Sequence, residues 1–129
     1  MEQTTNSVLM VRPVAFRMNE QTAVNNYFQE DLELKQEEIN IKAQEEFDAF
    51  AEKLEAVGVE VVVVNDKKEL NTPDSIFPNN WVSFHNDGRV AIYPMFAENR
   101  RKERRMEFFE ALESRGFKID EVVDYTQAE

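Results

Sequence analysis

Residues 50–64 have the sequence Phe50-Ala51-Glu52-Lys53-Leu54-Glu55-Ala56-Val57-Gly58-Val59-Glu60-Val61-Val62-Val63-Val64. The first part of this stretch places apolar residues at steps of three and four, which is the spacing of one helix face. Gly58 is expected to end that helix, because glycine readily adopts the left-handed conformation of a helix C-terminus. The β-branched run that follows predicts a buried strand. A helix followed directly by such a strand indicates an α/β fold.

The same apolar spacing extends towards the N-terminus and predicts one helix over residues 34–57, with a stripe formed by Ile39, Ala43, Phe47, Phe50, Leu54 and Val57. Further upstream, residues 7–13 predict a buried strand closed by Pro13. Residues 14–30 are rich in Asn and Gln, and we expect a long, partly irregular excursion there.

The second half of the chain predicts a hairpin, a helix and a strand. Residues 65–78 are polar, contain two prolines and are expected to form a loop. Residues 81–85 and 89–93 flank Asn86-Asp87-Gly88, which is turn chemistry typical of a β-hairpin. A helix is expected over residues 99–114, followed by a glycine stop and a strand over residues 117–123.

A repeat links the two halves. Phe, Leu and Gly recur with an offset of 58 residues, in the pairs Phe50 and Phe108, Leu54 and Leu112, and Gly58 and Gly116. Any two βαβ units share this pattern, because each helix needs a stop before its strand. A period near 60 also suits a protein built from repeated α/β modules. The spacing leaves both interpretations open.

Composition restricts the class of protein. The 129 residues are 42% hydrophobic and 32% charged, which is typical of one globular domain with a core. A net charge of −11 argues against nucleic acid and anionic membranes as partners. There is no cysteine, no signal-peptide pattern and no apolar run of membrane-spanning length, so we expect a cytoplasmic location.

Asp74, Asn79 and Asn80 lie in a loop that leads into the hairpin. A carboxylate accepts hydrogen bonds and an Asn amide both donates and accepts, so together these side chains can hold a planar guanidinium or amide. The competing interpretation is that they only form turns, since Asp, Asn and Ser after proline are ordinary turn residues.

Arg100 and Arg101 lie at the start of the second predicted helix, where a cation opposes the helix dipole. Such a local conflict suggests a functional demand, because a guanidinium grips a carboxylate with two parallel hydrogen bonds. The alternative is a solvated face with salt bridges to neighbouring glutamates. His85, the only histidine, is expected to be structural, and Trp81 and Phe77 are expected to be core residues.

The run Asp74-Ser75-Ile76-Phe77-Pro78-Asn79-Asn80-Trp81-Val82-Ser83 resembles a loop of the citrulline-utilisation (CtlX-type) branch of the amidinotransferase family. The resemblance continues through Asp87-Gly88, Tyr93-Pro94-Met95 and Asn99-Arg100-Arg101-Lys102-Glu103-Arg104, and residues 8–13 are similar to the first strand of such proteins. This branch belongs to the pentein superfamily, together with arginine deiminases and dimethylarginine dimethylaminohydrolases.

The resemblance implies a five-module α/β-propeller in which each module is a ββαβ unit. This chain would supply about two modules, over residues 1–70 and 71–129, as the N-terminal part of one domain. Enzymes of this type attack a guanidinium carbon with a cysteine thiolate, while a histidine acts as general acid and base. No cofactor and no metal are expected, and the expected ligand is an arginine- or citrulline-like small molecule.

Carried over residue by residue, the resemblance assigns substrate-binding roles to Asp74, Phe77, Asn79 and Asn80. Related deiminases have Asn at the position of Asp74 and a guanidinium-binding Asp at the position of Asn80, so either residue could face the guanidinium. Arg100 or Arg101 would bind the substrate α-carboxylate.

The family's catalytic Cys and His come from later modules, so we expect this chain to be a catalytically incomplete fragment that self-associates or docks onto the rest of the propeller. The alternative is a non-catalytic binding module with a pentein half-fold. Composition alone supports only an acidic α/β domain.

Overall fold

A computed structural model describes residues 4–19 and 32–129. The elements in chain order are β1 (Ser7–Arg12), α1 (Leu32–Ala56), β2 (Glu60–Asn65), β3 (Val82–Phe84), β4 (Arg89–Ile92), α2 (Glu98–Arg101), α3 (Glu107–Ser114) and β5 (Glu121–Asp124). Short 3-10 turns occupy Lys68–Leu70, Pro78–Asn80 and Thr126–Ala128. The expected excursion over residues 14–30 falls partly outside the described residues, and residues 14–19 contain no helix or strand.

The strands form two sheets. In the first, β1 and β2 are parallel, with Ser7 opposite Glu60 and Arg12 opposite Asn65. In the second, the order is β3-β4-β5; β3 and β4 are antiparallel, and β4 and β5 are parallel. One helix connects β1 to β2 and two helices connect β4 to β5, which is the usual form of a crossover between parallel strands. The structure therefore confirms a mixed α/β protein with the expected hairpin, and the helices and strands of its second half follow the order ββααβ.

The two helices that precede a strand end in the same way. Val59 N donates to Leu54 O at 3.0 Å, and Phe117 N donates to Leu112 O at 3.2 Å. The glycine between donor and helix has φ +91° in the first case and +93° in the second. These are the bonds and the left-handed residue of a glycine-terminated helix. The two predicted glycine stops are therefore confirmed, with the same geometry 58 residues apart.

One apolar core connects the two sheets. Trp81 is fully buried and lies 5.5 Å from Phe108, measured between ring centroids. Around this pair the core contains Val11 of β1, residues of the hairpin and α3, and Met95; its further members are Val82, Val90, Ile92 and Phe109. The prediction that Trp81 is a core residue is confirmed, whereas Phe77 is 45% exposed and its assignment to the core is wrong. The Phe77 side chain lies at the surface, while its carbonyl oxygen accepts a hydrogen bond from Arg100 Nη2 at 3.3 Å.

The first helix buries less than its stripe suggests. Phe47 is buried, but Ile39, Phe50 and Val57 are exposed. Ile39 and Phe50 face an open groove of about 1940 Å³ that lies between α1, the strand β1 and the hairpin. Within the described residues, the predicted apolar stripe is therefore only partly buried.

Two predicted boundaries are wrong. The helix expected over residues 99–114 is broken into α2 and α3 by residues 102–106. Tight turns form at the break, where Glu103 N donates to Arg100 O and Arg104 N donates to Arg101 O. The strand expected from residue 117 begins only at Glu121, because the chain first crosses to the hairpin, where Asp120 N donates to Gly88 O.

Candidate functional site

A buried pair of polar residues, Thr72 and Asp66, stabilises the loop between β2 and β3. Thr72 is fully buried, and its hydroxyl lies 2.8 and 3.0 Å from the two carboxylate oxygens of Asp66, which is itself buried. Two turns then follow, in which Phe77 N donates to Asp74 O and Asn80 N donates to Phe77 O. The Asp–Ser and Asn–Asn pairs therefore form turns, as the competing interpretation of these residues predicts.

Arg100 holds this loop. Its guanidinium donates from Nη1 to Asn80 Oδ1 at 3.1 Å and from Nη2 to the carbonyl oxygens of Phe77 and Asp74 at 3.3 and 3.4 Å. The Arg100 side chain is only 13% exposed. Because the Arg100 side chain bonds to three residues within residues 74–80, the conformation of this segment depends on the position of that one side chain.

The Glu103 carboxylate binds the forked edge of the same guanidinium, which is the edge formed by Nε and Nη2. Arg100 Nε donates to Glu103 Oε2 at 2.9 Å, and Nη2 donates to Oε1 at 3.1 Å. The Glu103 side chain is almost fully buried. Burial raises the pKa of Glu103 above its ordinary value, with the bonds from Arg100 opposing the rise and the Asp74 and Asp66 carboxylates adding to it. A substrate carboxylate can therefore reach this edge only by displacing Glu103.

Asp74 lies at the meeting point of three segments of the chain. Asn19 Nδ2 donates to Asp74 Oδ2 at 2.9 Å, and Arg100 Nε lies 3.9 Å from the same oxygen. Asn19 also exchanges amide hydrogen bonds of 2.9 and 2.8 Å with Asn99. The Asp74 side chain retains 20% exposure, so its carboxylate remains open to solvent on one side.

Arg101 points away from Arg100. Its Nε donates to Met95 O at 2.9 Å and its Nη2 to Phe96 O at 3.3 Å, and its side chain is 36% exposed. Arg101 Nε also lies 3.6 Å from Glu129 Oε1. It is therefore the more accessible guanidinium of the two adjacent arginines.

The Glu129 carboxylate is paired with Arg104. Arg104 Nη1 donates to Glu129 Oε2 at 2.7 Å, and Met95 N donates to the same oxygen at 2.8 Å. The hydrogen bond from Arg104, reinforced by Met95 N–H and by the charges of Arg104 and Arg101, lowers the pKa of Glu129 to about 2.

Asn79 is on the other side of the loop. It is exposed and lines the groove together with Ile76 and Pro78. The predicted site residues therefore divide into three groups. Asp74 and Asn80 meet Arg100, Asn79 faces the groove, and Phe77 and Arg101 lie at the surface nearby.

Sequence reasoning missed one member of this cluster, Asn19, and it expected Glu103 only as a salt-bridge partner of the arginines on a solvated helix face. No local signal marks Asn19, which reaches Asp74 from 55 residues away. Glu103 had a usable signal, since a Glu three residues after an Arg on a helical turn is placed to pair with it.

The argument from the helix dipole was wrong. Arg100 and Arg101 lie in the last turn of α2, where cations are favoured.

The hairpin carries a short hydrogen-bonded chain. Ser83 Oγ lies 2.9 Å from His85 Nε2 and 2.7 Å from the Tyr93 hydroxyl. Tyr93 stacks on Tyr125 with ring centroids 5.8 Å apart.

Within residues 4–19 and 32–129 no group of three or more His, Cys, Asp or Glu side chains is placed to hold a metal ion. No helix there is both long and apolar enough to span a membrane.

Comparison with known families provides the decisive observation. The model of the family described as N,N dimethylarginine dimethylhydrolase, eukaryotic, matches residues 12–129, which includes the whole cluster around Arg100. The chain belongs to this family. No match was found among curated proteins or among solved structures.

Membership of the dimethylarginine dimethylhydrolase family places the chain in the pentein and amidinotransferase-type superfamily. The mixed α/β structure is compatible with a pentein-type fold. The match includes β2 to β5 and the last residue of β1, and it contains Asp74, Asn80 and Arg100, so the cluster lies within the part of the chain that is similar to the family.

Proposed function

We propose that this chain forms the substrate-lining part of a guanidine-modifying hydrolase or amidinotransferase that acts on C–N bonds of arginine derivatives. The observation that carries the proposal is the family match over residues 12–129, which contains the Arg100 cluster. The finer assignments, to the citrulline-utilisation branch and to two modules of a five-module propeller divided near residue 70, are part of the same proposal. So is a cytoplasmic location.

Within this proposal, Asp74 contacts the substrate guanidinium. Its carboxylate is an acceptor-only group that is still partly exposed, whereas Asn80 already gives its oxygen to Arg100. Arg101 is assigned to the substrate carboxylate, because Glu103 occupies the forked edge of Arg100. Phe77 and Asn79 add exposed surface beside this site.

The chemistry expected of the family needs a thiolate that adds to the guanidinium carbon, with loss of an amine and later hydrolysis of the covalent intermediate. The sequence contains no cysteine, so the nucleophile must come from another polypeptide segment. We therefore propose that this chain binds substrate but is catalytically incomplete by itself, and that no metal or cofactor takes part.

Thermal unfolding in the presence of N,N-dimethylarginine, arginine and citrulline tests the binding role. A ligand that binds only the folded chain raises its midpoint, and Asp74→Asn should remove that rise for the guanidinium compounds. Lys102→Ala is the matched control, because Lys102 is an exposed cation next to the arginine pair. An equal rise in the Asp74→Asn variant contradicts the assignment of Asp74.

The alternative function is a non-catalytic binding module, and the absence of cysteine is the observation that favours it. Expressing the natural gene region with any frame that follows residue 129 separates the two. Turnover of an arginine derivative by the longer product supports the enzyme. Ligand binding without turnover in every product supports the module.

Self-association, or docking onto further modules, is proposed through the open sheet edges. In the described structure β5 pairs with β4 alone, and Val122 of β5 is 41% exposed. An unpaired strand edge is a template for another strand. Light scattering should therefore give a mass above 15.1 kDa at high concentration, and Val122→Lys should reduce it. A strict monomer contradicts this proposal.

A further inference from the structure

The side-chain amide of Asn80 has only one orientation that is compatible with its neighbour. Arg100 Nη1 lies 3.1 Å from the Asn80 amide, and a guanidinium can only donate hydrogen bonds. The atom that faces Arg100 must therefore be the Asn80 oxygen, whatever the usual ambiguity between the O and N atoms of an amide. It follows that the two N–H groups of Asn80 point away from Arg100.

Those N–H groups are accessible. Asn80 is exposed, and none of the residues in the described part of the chain accepts a hydrogen bond from its Nδ2 atom. The site thus presents two donors at a position where a carboxylate side chain would present only acceptors.

Glu103 maintains this orientation without contacting Asn80. Its two carboxylate oxygens take Arg100 Nε–H and one Nη2–H, and the Phe77 and Asp74 carbonyls share the other Nη2–H. The Nη1 atom is thereby directed at Asn80. Because Glu103 is buried and Arg100 is 13% exposed, the pair has little room to rearrange.

We propose that Asn80 is a specificity-determining residue that donates to an oxygen acceptor on the ligand, and that Glu103 is a positioning residue that acts through Arg100. This inference rests on the proposed function for the identity of the ligand but not for the geometry. The acceptor is either the ligand's carboxylate or a carbonyl oxygen that replaces the guanidinium.

The first experiment needs no ligand. In a nitrogen–proton correlation spectrum, Glu103→Gln should shift the side-chain amide signals of Asn80. A Gln side chain has a single acceptor oxygen, so it cannot offer one oxygen to Arg100 Nε and another to Nη2 as a carboxylate does. Lys102→Ala, which removes an exposed neighbouring charge, should leave those signals in place. Unshifted Asn80 signals in a folded Glu103→Gln variant would overturn the positioning role.

The second experiment compares arginine, agmatine and citrulline by calorimetry. Agmatine lacks the carboxylate, and citrulline has a carbonyl oxygen in place of the charged guanidinium. Asn80→Asp replaces the donors by an acceptor but still accepts from Arg100, and Asn80→Ala removes the donors without adding charge. If the acceptor is the carboxylate, both variants should weaken arginine and citrulline about tenfold, or about 1.4 kcal/mol, and Asn80→Ala should leave agmatine unchanged.

If the acceptor is the carbonyl oxygen, both variants should weaken citrulline alone. Equal affinities in wild type and both variants, or tighter binding of arginine and citrulline to Asn80→Asp, would overturn the proposed donor role. Failure of all three compounds to bind the wild type would contradict the proposed function and the ligand part of this inference. The spectrum of Glu103→Gln would still decide the positioning part separately.

Discussion

Arg100 and Glu103, three residues apart at the break between α2 and α3, face each other through two hydrogen bonds of 2.9 and 3.1 Å. The pair links the helical break to the loop that carries Asp74 and Asn80. The conformation of the candidate site therefore depends on a charge pair that lies largely below the surface.

Removing one partner of this pair should be costly. Glu103→Ala leaves the Arg100 guanidinium largely buried without its carboxylate, and we expect a loss of about 3 kcal/mol in the free energy of unfolding. Urea denaturation measures this loss. Lys102→Ala, next in sequence and exposed, should change the same quantity by less than about 0.5 kcal/mol. Equal effects of the two substitutions would show that the pair does not stabilise the fold.

The Thr72 hydroxyl should matter more than its methyl group. Thr72→Val keeps the shape of the side chain but leaves the buried Asp66 carboxylate without its donor, at an expected cost of about 2 kcal/mol. Thr72→Ser keeps the donor and loses a methyl group, which should cost about 1 kcal/mol. If denaturation ranks Thr72→Ser as the less stable variant, the bond to Asp66 is not the main contribution of Thr72.

Phe108 should contribute a large share of the stability that the core provides. It is 2% exposed and packs on Trp81, so Phe108→Ala should lower the free energy of unfolding by about 4 kcal/mol. Phe96 provides a control of the same residue type, since it is 92% exposed and its truncation should be nearly neutral. A stable Phe108→Ala variant with an unchanged denaturation midpoint would contradict the assignment of this core.

Glu129 should make the protein acid-sensitive. Its folded-state pKa of about 2 lies below the ordinary value of 4.5, so the unfolded chain binds this proton more readily. Its contribution to stability is therefore complete above about pH 5 and is lost as the pH falls from there towards 2. Glu129→Gln should flatten the fall in unfolding free energy over that range. An identical acid profile in wild type and variant would rule out the Arg104–Glu129 pair as its source.

Local sequence signals predicted most of the fold. The glycine stops at Gly58 and Gly116, the hairpin turn at Asn86-Asp87-Gly88 and the β-branched run of β2 each act over a few residues. The break between α2 and α3 could not be predicted in this way, because it follows from where several arginine side chains find acceptors across the fold. Arg104, for example, reaches Tyr93 O and Glu129.

The candidate site was only partly predictable for the same reason. The resemblance indicated Asp74, Asn80 and Arg100 as candidate substrate-binding residues, and the structure places them together. It could not predict that the pairing of Glu103 with Arg100, expected on a solvated helix face, is instead buried, because that burial depends on the turn that ends α2. Nor could it predict Asn19, which reaches Asp74 through tertiary structure alone.

The most direct test of the central claim is a titration of the chain with N,N-dimethylarginine, followed by nitrogen–proton correlation spectra of wild type and Asp74→Asn. We predict saturable shifts confined to residues of the 74–80 loop and residues 99–103, with a dissociation constant on the order of a millimolar, and their loss in Asp74→Asn. The absence of shifts in the wild type, or equal shifts in Asp74→Asn, would contradict a guanidinium-binding site at this loop.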